Sequence, residues 1–475
     1  MRRVLVTSVL PLLFSCGSTP DINPVAPSGA LTSLAVSSGA LVPAFDPATT
    51  DYELDSLSTL VPLTITPAQD VTIDGTPVRK GQAWSRTLTS LDDATVIAVT
   101  AKDAAGAPVT YRIHALPSDR PRFTTTVGAA PARGRVYLSP FRVDVTPNFS
   151  SAGWLYMLDE LGRFVFYKKL PHPAMDFKRV VLPDGTVRYT YIMTDGEPQT
   201  ASRVASTVYV LDDQLRQVRT IRLLPANGRE AIATDLHDVL LVDDDHWISE
   251  SYVLETVPDV MGLTSVPVVA CVIQEVDRGQ VVFDWDSTKV PELFAESTDG
   301  NSFSLPSWAD YAHLNSIDLD PVNGNFVVSF RHLDEVLELD RKTGATVWKL
   351  GGKGDQFGLA ADAKSSHQHD VRFLEPGHLI MFDNGNASKT THIREYQLDP
   401  TTRVAQSTAA FAIDGHFSLA MGSVQKLGGR YFIGWGYRSP GEADATEVDP
   451  TTKEKSFELT LEAGWVSYRA RKLPY

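Results

Sequence analysis

The chain has 475 residues, a formal net charge of −15 and an apolar fraction of 43%, with 20 Phe, 15 Tyr and 8 Trp. This apolar and aromatic content is enough for a large packed core, and the acidic balance argues against a nucleic-acid partner, which requires a basic surface. The two cysteines are Cys16 and Cys271, and Cys271 lies in an apolar run that predicts a buried, inert thiol.

The N-terminus has the pattern of a secretory signal. Residues 1–16 begin with Met-Arg-Arg, continue with the apolar run Val4 to Phe14 and end at Cys16. The apolar run is too short for a membrane-spanning helix. Cys16 resembles the acylated cysteine of a bacterial lipobox, which predicts a periplasmic or surface lipoprotein anchored in the outer membrane through Cys16. The alternative is an ordinary signal peptide with an incidental cysteine. Acylation would leave Cys271 as a single thiol, so no disulfide is expected in the mature chain.

Two segments precede the large C-terminal region. Residues 17–29 are rich in Pro, Ser and Gly and predict a flexible tether. Residues 30–117 contain short alternating runs such as PLTITP, VTIDGTPV and ATVIAVTAKD, which predict a small antiparallel β-sandwich. The beginning SSGALVPAFDPATTDYEL and the end TAKDAAGAPVTYRIHA of this segment resemble the cadherin-like β-sandwich of bacterial surface proteins.

Residues 120–475 are built from repeats of short strands. HDVLLVDDDHWISES, HLNSIDLDPVNGNFVVSFR and HDVRFLEPGHLIMFDNGN each predict a hairpin, and each is followed by two more apolar runs. Two further copies, and a sixth near YLSPFRVDV, lack the leading histidine. Repeats of four strands predict an all-β, six-bladed β-propeller. The final run WVSYRARKL is expected to complete the first blade and close the ring.

The hairpin that begins at His313 brings this residue close to Arg331. Two strands of ~5 residues, at ~3.3 Å per residue, return the chain to its starting end, so Arg331 should lie beside His313. His237, His313 and His369 hold one repeat position in three successive blades, and equivalent blade ends converge at the central channel of a propeller. The sequence therefore predicts a cluster of three imidazoles and one guanidinium at one mouth of the channel.

Two chemistries suit this cluster. Three neutral imidazoles can bind zinc, copper or iron. A guanidinium in the same cluster disfavours a cation and favours an anion. Arg with several His is typical of a site for a sulfuryl or phosphoryl group, with one His as the nucleophile.

The motifs LHD at 236–238, DYAHLNSIDLDP with Arg331 after its hairpin, HQHDVRF, FDNGN and IREYQLD carry a family resemblance. With them, residues 120–475 resemble the bacterial arylsulfate sulfotransferases, periplasmic enzymes with an N-terminal β-sandwich and a six-bladed propeller. The resemblance implies ping-pong transfer of a sulfuryl group from an aryl sulfate to a phenol, with no cofactor and no metal. It implies that His369 becomes a transient sulfohistidine, while His237, His313 and Arg331 hold the sulfate oxygens and one imidazole exchanges a proton with the phenol oxygen.

Four other residues are candidate substrate contacts. Asn315, Asn384 and Arg438 fall at positions that face the site by the hairpin argument, with plain turn roles as the alternative. Tyr311 is an aromatic residue close to His313 in sequence that could stack on a phenol ring.

His367 is the alternative nucleophile, because it lies two residues before His369. His369 is favoured because it immediately precedes the strand of its repeat, as His237 does. The remaining histidines of the repeats are interpreted as surface or packing residues: His246, His332, His378 and His392. Two other function classes stay open, a metal-dependent propeller hydrolase or lactonase and a non-catalytic ligand-binding propeller. The natural donor and acceptor and the oligomeric state, with a homodimer as one alternative, are not fixed by the sequence.

Overall fold

A computed structural model describes residues 30–143, 151–196 and 203–475. The predicted lipoprotein signal at 1–16, including Cys16, and the predicted tether at 17–29 lie outside the described residues. Within those residues, no helix is long and apolar enough to cross a membrane.

The protein is an all-β, six-bladed β-propeller preceded by a small β-sandwich, as the sequence predicted. Each blade is a sheet of four strands, and two blades gain a fifth strand at the outer edge. From the channel outwards, the blade strands are as follows. Blade 1 contains Trp465–Leu473, Arg135–Arg142, Gly153–Leu158, Phe164–Leu170 and Ser56–Ser58; blade 2 contains Ala174–Val181, Val187–Thr194, Ser206–Leu211 and Gln217–Ile221. Blade 3 contains Val239–Leu241, His246–Val260, Leu263–Asp277 and Gln280–Asp286; blade 4 contains Leu314–Leu319, Phe326–Phe330, Glu335–Leu339 and Thr346–Gly351. Blade 5 contains His369–Glu375, His378–Asp383, His392–Asp399 and Val404–Phe411; blade 6 contains Ser423–Leu427, Arg430–Gly434, Ala445–Val448, Lys455–Leu461 and Phe123–Val127.

Short elements connect the blades. A two-stranded pair, Ser418–Ala420 with Tyr437–Arg438, lies beside blade 6, and one α-helix, Glu292–Glu296, follows blade 3. The 3-10 turns are Ser287–Lys289, Arg331–Leu333 and Ala361–Ala363.

Apolar residues between neighbouring blades form the core. Each adjacent pair of sheets encloses its own buried cluster, for example Ile248 and Tyr252 of blade 3 with Leu314 and Phe330 of blade 4. Successive side chains of a strand point to opposite faces, and both faces of a blade pack against a neighbour. The inner strands therefore have continuous buried stretches instead of a strict alternation, as in Phe326–Phe330.

The N-terminal segment forms two sheets of short strands. One contains Leu34–Val36, Leu63–Pro67 and Trp84–Arg86. The other contains Leu41–Val42, Asp51–Leu54, Pro108–His114, Val96–Lys102, Val71–Ile73 and Thr76–Val78. Its strands pair antiparallel except Asp51–Leu54 with Pro108–His114, which pair parallel. Leucines and isoleucines of both sheets join the buried cluster between blades 6 and 1, so the sandwich packs on the propeller.

The last strand closes the ring, which confirms the prediction for WVSYRARKL. Trp465–Leu473 pairs with Arg135–Arg142 as the innermost strand of blade 1 and also contacts the inner strands of blades 2 and 6. The Lys472 ammonium binds the Glu447 carboxylate of blade 6 at 2.6 Å, and both side chains are fully buried.

Replacing Lys472 by Met is expected to destabilise the propeller by about 3–5 kcal/mol, because it leaves the buried Glu447 carboxylate without its cation. The midpoint of urea unfolding, followed by tryptophan fluorescence, measures the effect. Lys453→Met is the control, because Lys453 pairs with a fully exposed Asp414 at 3.8 Å and such a pair contributes little. Equal midpoints for the two variants would contradict the prediction.

The channel below the histidines is filled by buried ion pairs. Asp176, Asp238 and Asp370, at the starts of inner strands in blades 2, 3 and 5, have fully buried carboxylates. They bind basic groups of blades 1, 2 and 5: Lys178, Arg372, Arg469 and Arg471. Asp238 and Asp370 also accept backbone N–H groups from the next blades, at Ile317 and Val424. This floor fixes the registers of neighbouring blades and therefore the positions of the residues above it.

Candidate active site

Three histidines lie where the innermost strands of blades 3, 4 and 5 begin. His237 and His313 precede their strands, and His369 is the first residue of its strand. The His237 and His313 rings are 5.1 Å apart between centroids. The Tyr468 ring of the closing strand lies 5.5 Å from His237 and 6.2 Å from His369. All three imidazoles are thus gathered around one mouth of the channel.

Arg331 lies beside His313, as the hairpin argument requires. Leu314 pairs with Phe330 across the hairpin, and the Arg331 N–H donates to the His313 carbonyl at 2.8 Å. Asp320 closes the turn by accepting the N–H of Val322 at 2.7 Å. The Arg331 side chain is largely buried, and its guanidinium lies 3.8 Å from the Asp299 carboxylate. The hairpin therefore brings the one cationic side chain of this group to the imidazoles.

The hydrogen bonds around His369 determine its tautomer. The Asn384 amide nitrogen donates to the Ser418 and Met421 carbonyls, both at 3.0 Å, so its Oδ1 must face His369. His369 Nδ1 lies 2.6 Å from that oxygen and 3.0 Å from the His367 carbonyl. Two acceptors at Nδ1 require a proton there, so the lone pair of the neutral ring is on Nε2. A single weak donor, the Met421 N–H at 3.3 Å, faces Nε2.

His369 is held neutral. Burial, and next the positive charge of Arg331, keep the pKa of His369 well below its ordinary value, and the neighbouring His237 and His313 act in the same direction. The Asn384 hydrogen bond opposes this shift but does not reverse it. A neutral imidazole with a free lone pair directed away from its anchor is the state that a nitrogen nucleophile requires.

His313 has a fixed orientation as well. Its Nδ1 donates to Asp310 Oδ2 at 2.6 Å, and its backbone is left-handed with φ of 59°. Burial, followed by the charges of His332, His237 and Arg331, lowers the pKa of His313 well below its ordinary value. His313 thus offers a neutral Nε2 to the cluster, next to the Arg331 guanidinium.

His237 has a different environment. Its Nδ1 binds Asp235 Oδ1, and the ring stacks on Tyr252 with centroids 5.6 Å apart. The Tyr252 hydroxyl donates to the Leu314 carbonyl at 2.6 Å, which joins blades 3 and 4 behind the histidines. A carboxylate on Nδ1 stabilises the imidazolium form, which is the environment expected of a group that takes up and releases a proton.

The four proposed substrate contacts divide into two pairs. Asn384 binds His369 directly. Asn315 is fully buried beside the site, where its amide nitrogen donates to the Gln368 carbonyl at 2.7 Å. Tyr311 and Arg438 are not brought to the cluster, so these two assignments are corrected. The Tyr311 hydroxyl binds Ser287 Oγ at 2.7 Å inside the core between blades 3 and 4, and Arg438 pairs with the buried Asp444 of blade 6.

One histidine that the sequence interpretation assigned to the surface or packing belongs to this cluster. His332 lies 4.5 Å from His313 between ring centroids and accepts from Arg331 Nη1 at 2.6 Å. Its Nδ1 donates to the Asp310 carbonyl at 2.5 Å. Its position directly after Arg331 is the signal that could have placed it here. His332 therefore holds the guanidinium in place.

His367, the alternative nucleophile, points elsewhere. Its Nε2 lies 3.1 Å from Asp299 and its Nδ1 3.4 Å from Asp334, at the rim of the mouth. Its contribution to His369 is the backbone carbonyl that accepts from Nδ1.

Two sets of residues have donor atoms close enough to hold a metal ion: Asp310, His313 and His332, and Asp235, His237 and Glu250. The donor atoms within each set lie within 4.8 Å of one another. The first set touches the Arg331 guanidinium through His332, and a positive charge there disfavours a cation. The same charge with neutral imidazoles suits an oxyanion, because Arg presents a planar fork of donors.

Comparisons with known proteins agree with this chemistry. A family model described as arylsulfotransferase (ASST) matches residues 149–469. No curated protein sequence matches the chain.

Several solved structures are similar to the chain at low identity. The β-propeller domain of Cps50 (Swd1) from Myceliophteria thermophila is 10% identical, over 71% of this chain and 88% of that chain, with a TM-score of 0.34. An auxiliary nutrient binding protein from Bacteroides ovatus is 12% identical, over 90% and 85%, with a TM-score of 0.30. AztD from Citrobacter koseri is 12% identical, over 72% and 98%, with a TM-score of 0.29.

Proposed function

Because the chain belongs to the arylsulfotransferase family, we propose that it moves a sulfuryl group from an aryl sulfate to a phenol through a covalent intermediate on His369. The observation that carries this proposal is the neutral His369, whose Nδ1–H is fixed by Asn384 and whose Nε2 lone pair faces the cluster that contains Arg331. No cofactor enters the proposed reaction.

In the first half-reaction, His369 Nε2 forms a bond to sulfur while the bond from sulfur to the phenol oxygen breaks. Arg331, His313 and His237 hold the three remaining sulfate oxygens, whose charge is spread in a loose transition state. The departing phenolate takes a proton from an imidazolium of the cluster, a step worth ~10²–10⁴ in rate. Phenol leaves, and sulfohistidine remains.

The second half-reaction reverses these events with another phenol. The acceptor loses its proton to the same imidazole as its oxygen attacks sulfur, and the bond from sulfur to His369 Nε2 breaks. Both half-reactions use one pocket, so ping-pong kinetics are expected.

Incubation of the enzyme with 4-nitrophenyl sulfate alone, followed by an alkaline quench and mass spectrometry, tests the proposal. The peptide containing His369 is expected to gain one SO3 group, with one 4-nitrophenolate released per enzyme in a burst. Addition of phenol should discharge the label and yield phenyl sulfate. An unlabelled peptide together with steady release of inorganic sulfate would instead indicate a hydrolase. Loss of turnover with a chelator would favour the metal-dependent alternative.

Asn384→Leu is expected to slow formation of the sulfuryl-enzyme roughly tenfold to hundredfold. The loss of a buried hydrogen bond costs about 1–3 kcal/mol, and 1.36 kcal/mol corresponds to a factor of ten in rate. Without Oδ1, nothing but the His367 carbonyl holds the proton on Nδ1. Single-turnover kinetics with 4-nitrophenyl sulfate measure the effect. Asn386→Leu is the matched control, because its amide is exposed and binds the Leu419 carbonyl. Equal rates for the two variants would contradict the role of Asn384.

Anchoring through an acylated Cys16 and a periplasmic or surface location at the outer membrane stay predictions. The small-molecule partners of the proposal are an aryl sulfate and a phenol. Metabolic labelling with a radioactive fatty acid, compared between the native chain and Cys16→Ala, tests the anchor.

A further inference from the structure

A second carboxylic acid lies behind His237, and the proposed reaction does not use it. Glu250 belongs to the second strand of blade 3, and its backbone carbonyl accepts the Asp235 N–H at 2.8 Å. The side chains of both residues are fully buried. Donor atoms of Asp235, His237 and Glu250 lie within 4.8 Å of one another. Both Glu250 oxygens and Asp235 Oδ2 have no hydrogen-bond partner among the described residues.

Two adjacent buried carboxylates cannot both be charged without a compensating cation. The basic groups nearest to Glu250 are Arg469 and Arg372. Both are committed to the channel floor, Arg372 to Asp238 at 2.6 Å and Arg469 to Asp176 at 3.1 Å. Burial, and then the charges of Asp235 and Asp238, raise the pKa of Glu250 well above its ordinary value.

The groups around His237 leave Asp235 as its nearest anionic partner. The ring faces Tyr252, His313 and Tyr468 on its other sides. His313 is held neutral, and burial raises the pKa values of both tyrosines well above their ordinary value, so neither is anionic at neutral pH. Arg203 and the Cys271 thiol lie near Asp235 on its far side.

We infer that Asp235 and Glu250 form a buried carboxyl pair that holds a single proton, and that this pair, through Asp235, sets the charge that His237 experiences during sulfuryl transfer. This inference rests on the proposed function and assigns the proton exchange within it to His237. The proton moves between the phenol oxygen and His237 Nε2, while Nδ1–H stays on Asp235. The proton of Glu250 stays in place, and no bond to either carboxyl group is made or broken.

The shared proton gives His237 one negative neighbour instead of two. With one, the charge of the Asp235–Glu250–His237 group alternates between −1 and 0 as His237 gains a proton. With two, the imidazolium would be held so strongly that it could not act as a base for the acceptor phenol. Glu250 is therefore a positioning residue that acts through Asp235, and His237 is the group that touches the substrate.

Infrared spectroscopy of the full chain tests the pair without reference to activity. The spectrum of the native enzyme minus that of Glu250→Gln is expected to contain the C=O stretch of a protonated carboxylic acid at neutral pH. Asp235→Asn should lower the pH at which this band disappears, because a like charge next to Glu250 is removed. A missing band at neutral pH, or a band whose pH dependence ignores Asp235→Asn, overturns the inference.

The pH profile of the donor half-reaction tests the role in transfer. The rate should fall as pH rises through the pKa of His237, since the imidazolium is the acid. Asp235→Asn should lower that midpoint by roughly 1–3 pH units, because the imidazolium loses its counter-ion. Glu250→Gln replaces a neutral acid by a neutral amide and should leave the midpoint in place, as should Glu338→Gln, a buried control that binds Asn323 and Asn325. A midpoint lowered by about one unit or more in Glu250→Gln would mean that Glu250 is charged, and overturns the inference.

The two experiments separate the failures. An enzyme that shows the acid band but no activity toward aryl sulfates contradicts the proposed function and leaves the carboxyl pair standing. An active enzyme without the band contradicts the pair alone.

Discussion

His369→Ala is expected to abolish sulfuryl transfer and the mass label together. Removal of a catalytic nucleophile costs on the order of 10⁶-fold in rate, and no other imidazole of the cluster has the same combination of anchored Nδ1 and free Nε2 beside Arg331. The measurements are the burst of 4-nitrophenolate and the mass of the peptide that contains residue 369. A normal burst, with the label on another residue, would remove His369 from the reaction.

His367→Asn is the control for this experiment. His367 has a left-handed backbone with φ of 59°, which Asn tolerates well. The substitution keeps the backbone carbonyl that accepts from His369 Nδ1 and removes the imidazole that faces Asp299. The sulfated peptide should therefore form in His367→Asn. A label lost in His367→Asn but kept in His369→Ala would reverse the assignment of the nucleophile.

The repeat position carried most of the sequence prediction. His237, His313 and His369 each begin a blade, and the hairpin geometry that follows from strand rise brought Arg331 to His313. These inferences depend on strand periodicity and blade symmetry, which a single sequence contains. The closing strand could be predicted for the same reason, since a ring of sheets needs a final strand to complete its first blade.

The residues that orient the histidines were not predictable in this way. Asp235 and Asp310 lie in loops before the strands, and Tyr468 enters from the closing strand, far away in sequence. Tyr311 failed because the loop before blade 4 turns its ring into the core, next to Phe294 at 4.5 Å. Arg438 lies on a two-residue strand whose register was not visible in the sequence, and its guanidinium turns to Asp444. Loop conformation depends on tertiary contacts that local pattern does not encode.

Arg331→Ala is expected to slow both half-reactions by about 10³-fold, the scale of losing a charged donor to a transferring oxyanion. It should also change the pH profile. His369 is the nucleophile in its neutral form, so the rate falls as pH drops through its pKa. After burial, the charge of Arg331 is the largest cause that lowers the pKa of His369. Its removal therefore raises that pKa, and the acid limb of the profile should move to higher pH.

Burst kinetics across pH, with 4-nitrophenyl sulfate and separately with phenol added to the sulfated enzyme, measure both effects. Arg341→Ala is the matched control, because Arg341 binds Glu275 at the outer side of blade 3 and should not alter either half-reaction. If Arg331 merely supported the fold, the rate would fall without movement of the acid limb, because His369 would keep its electrostatic environment. An acid limb that moves together with the loss of rate places the guanidinium charge next to His369 during transfer, and an unchanged rate would remove Arg331 from the site.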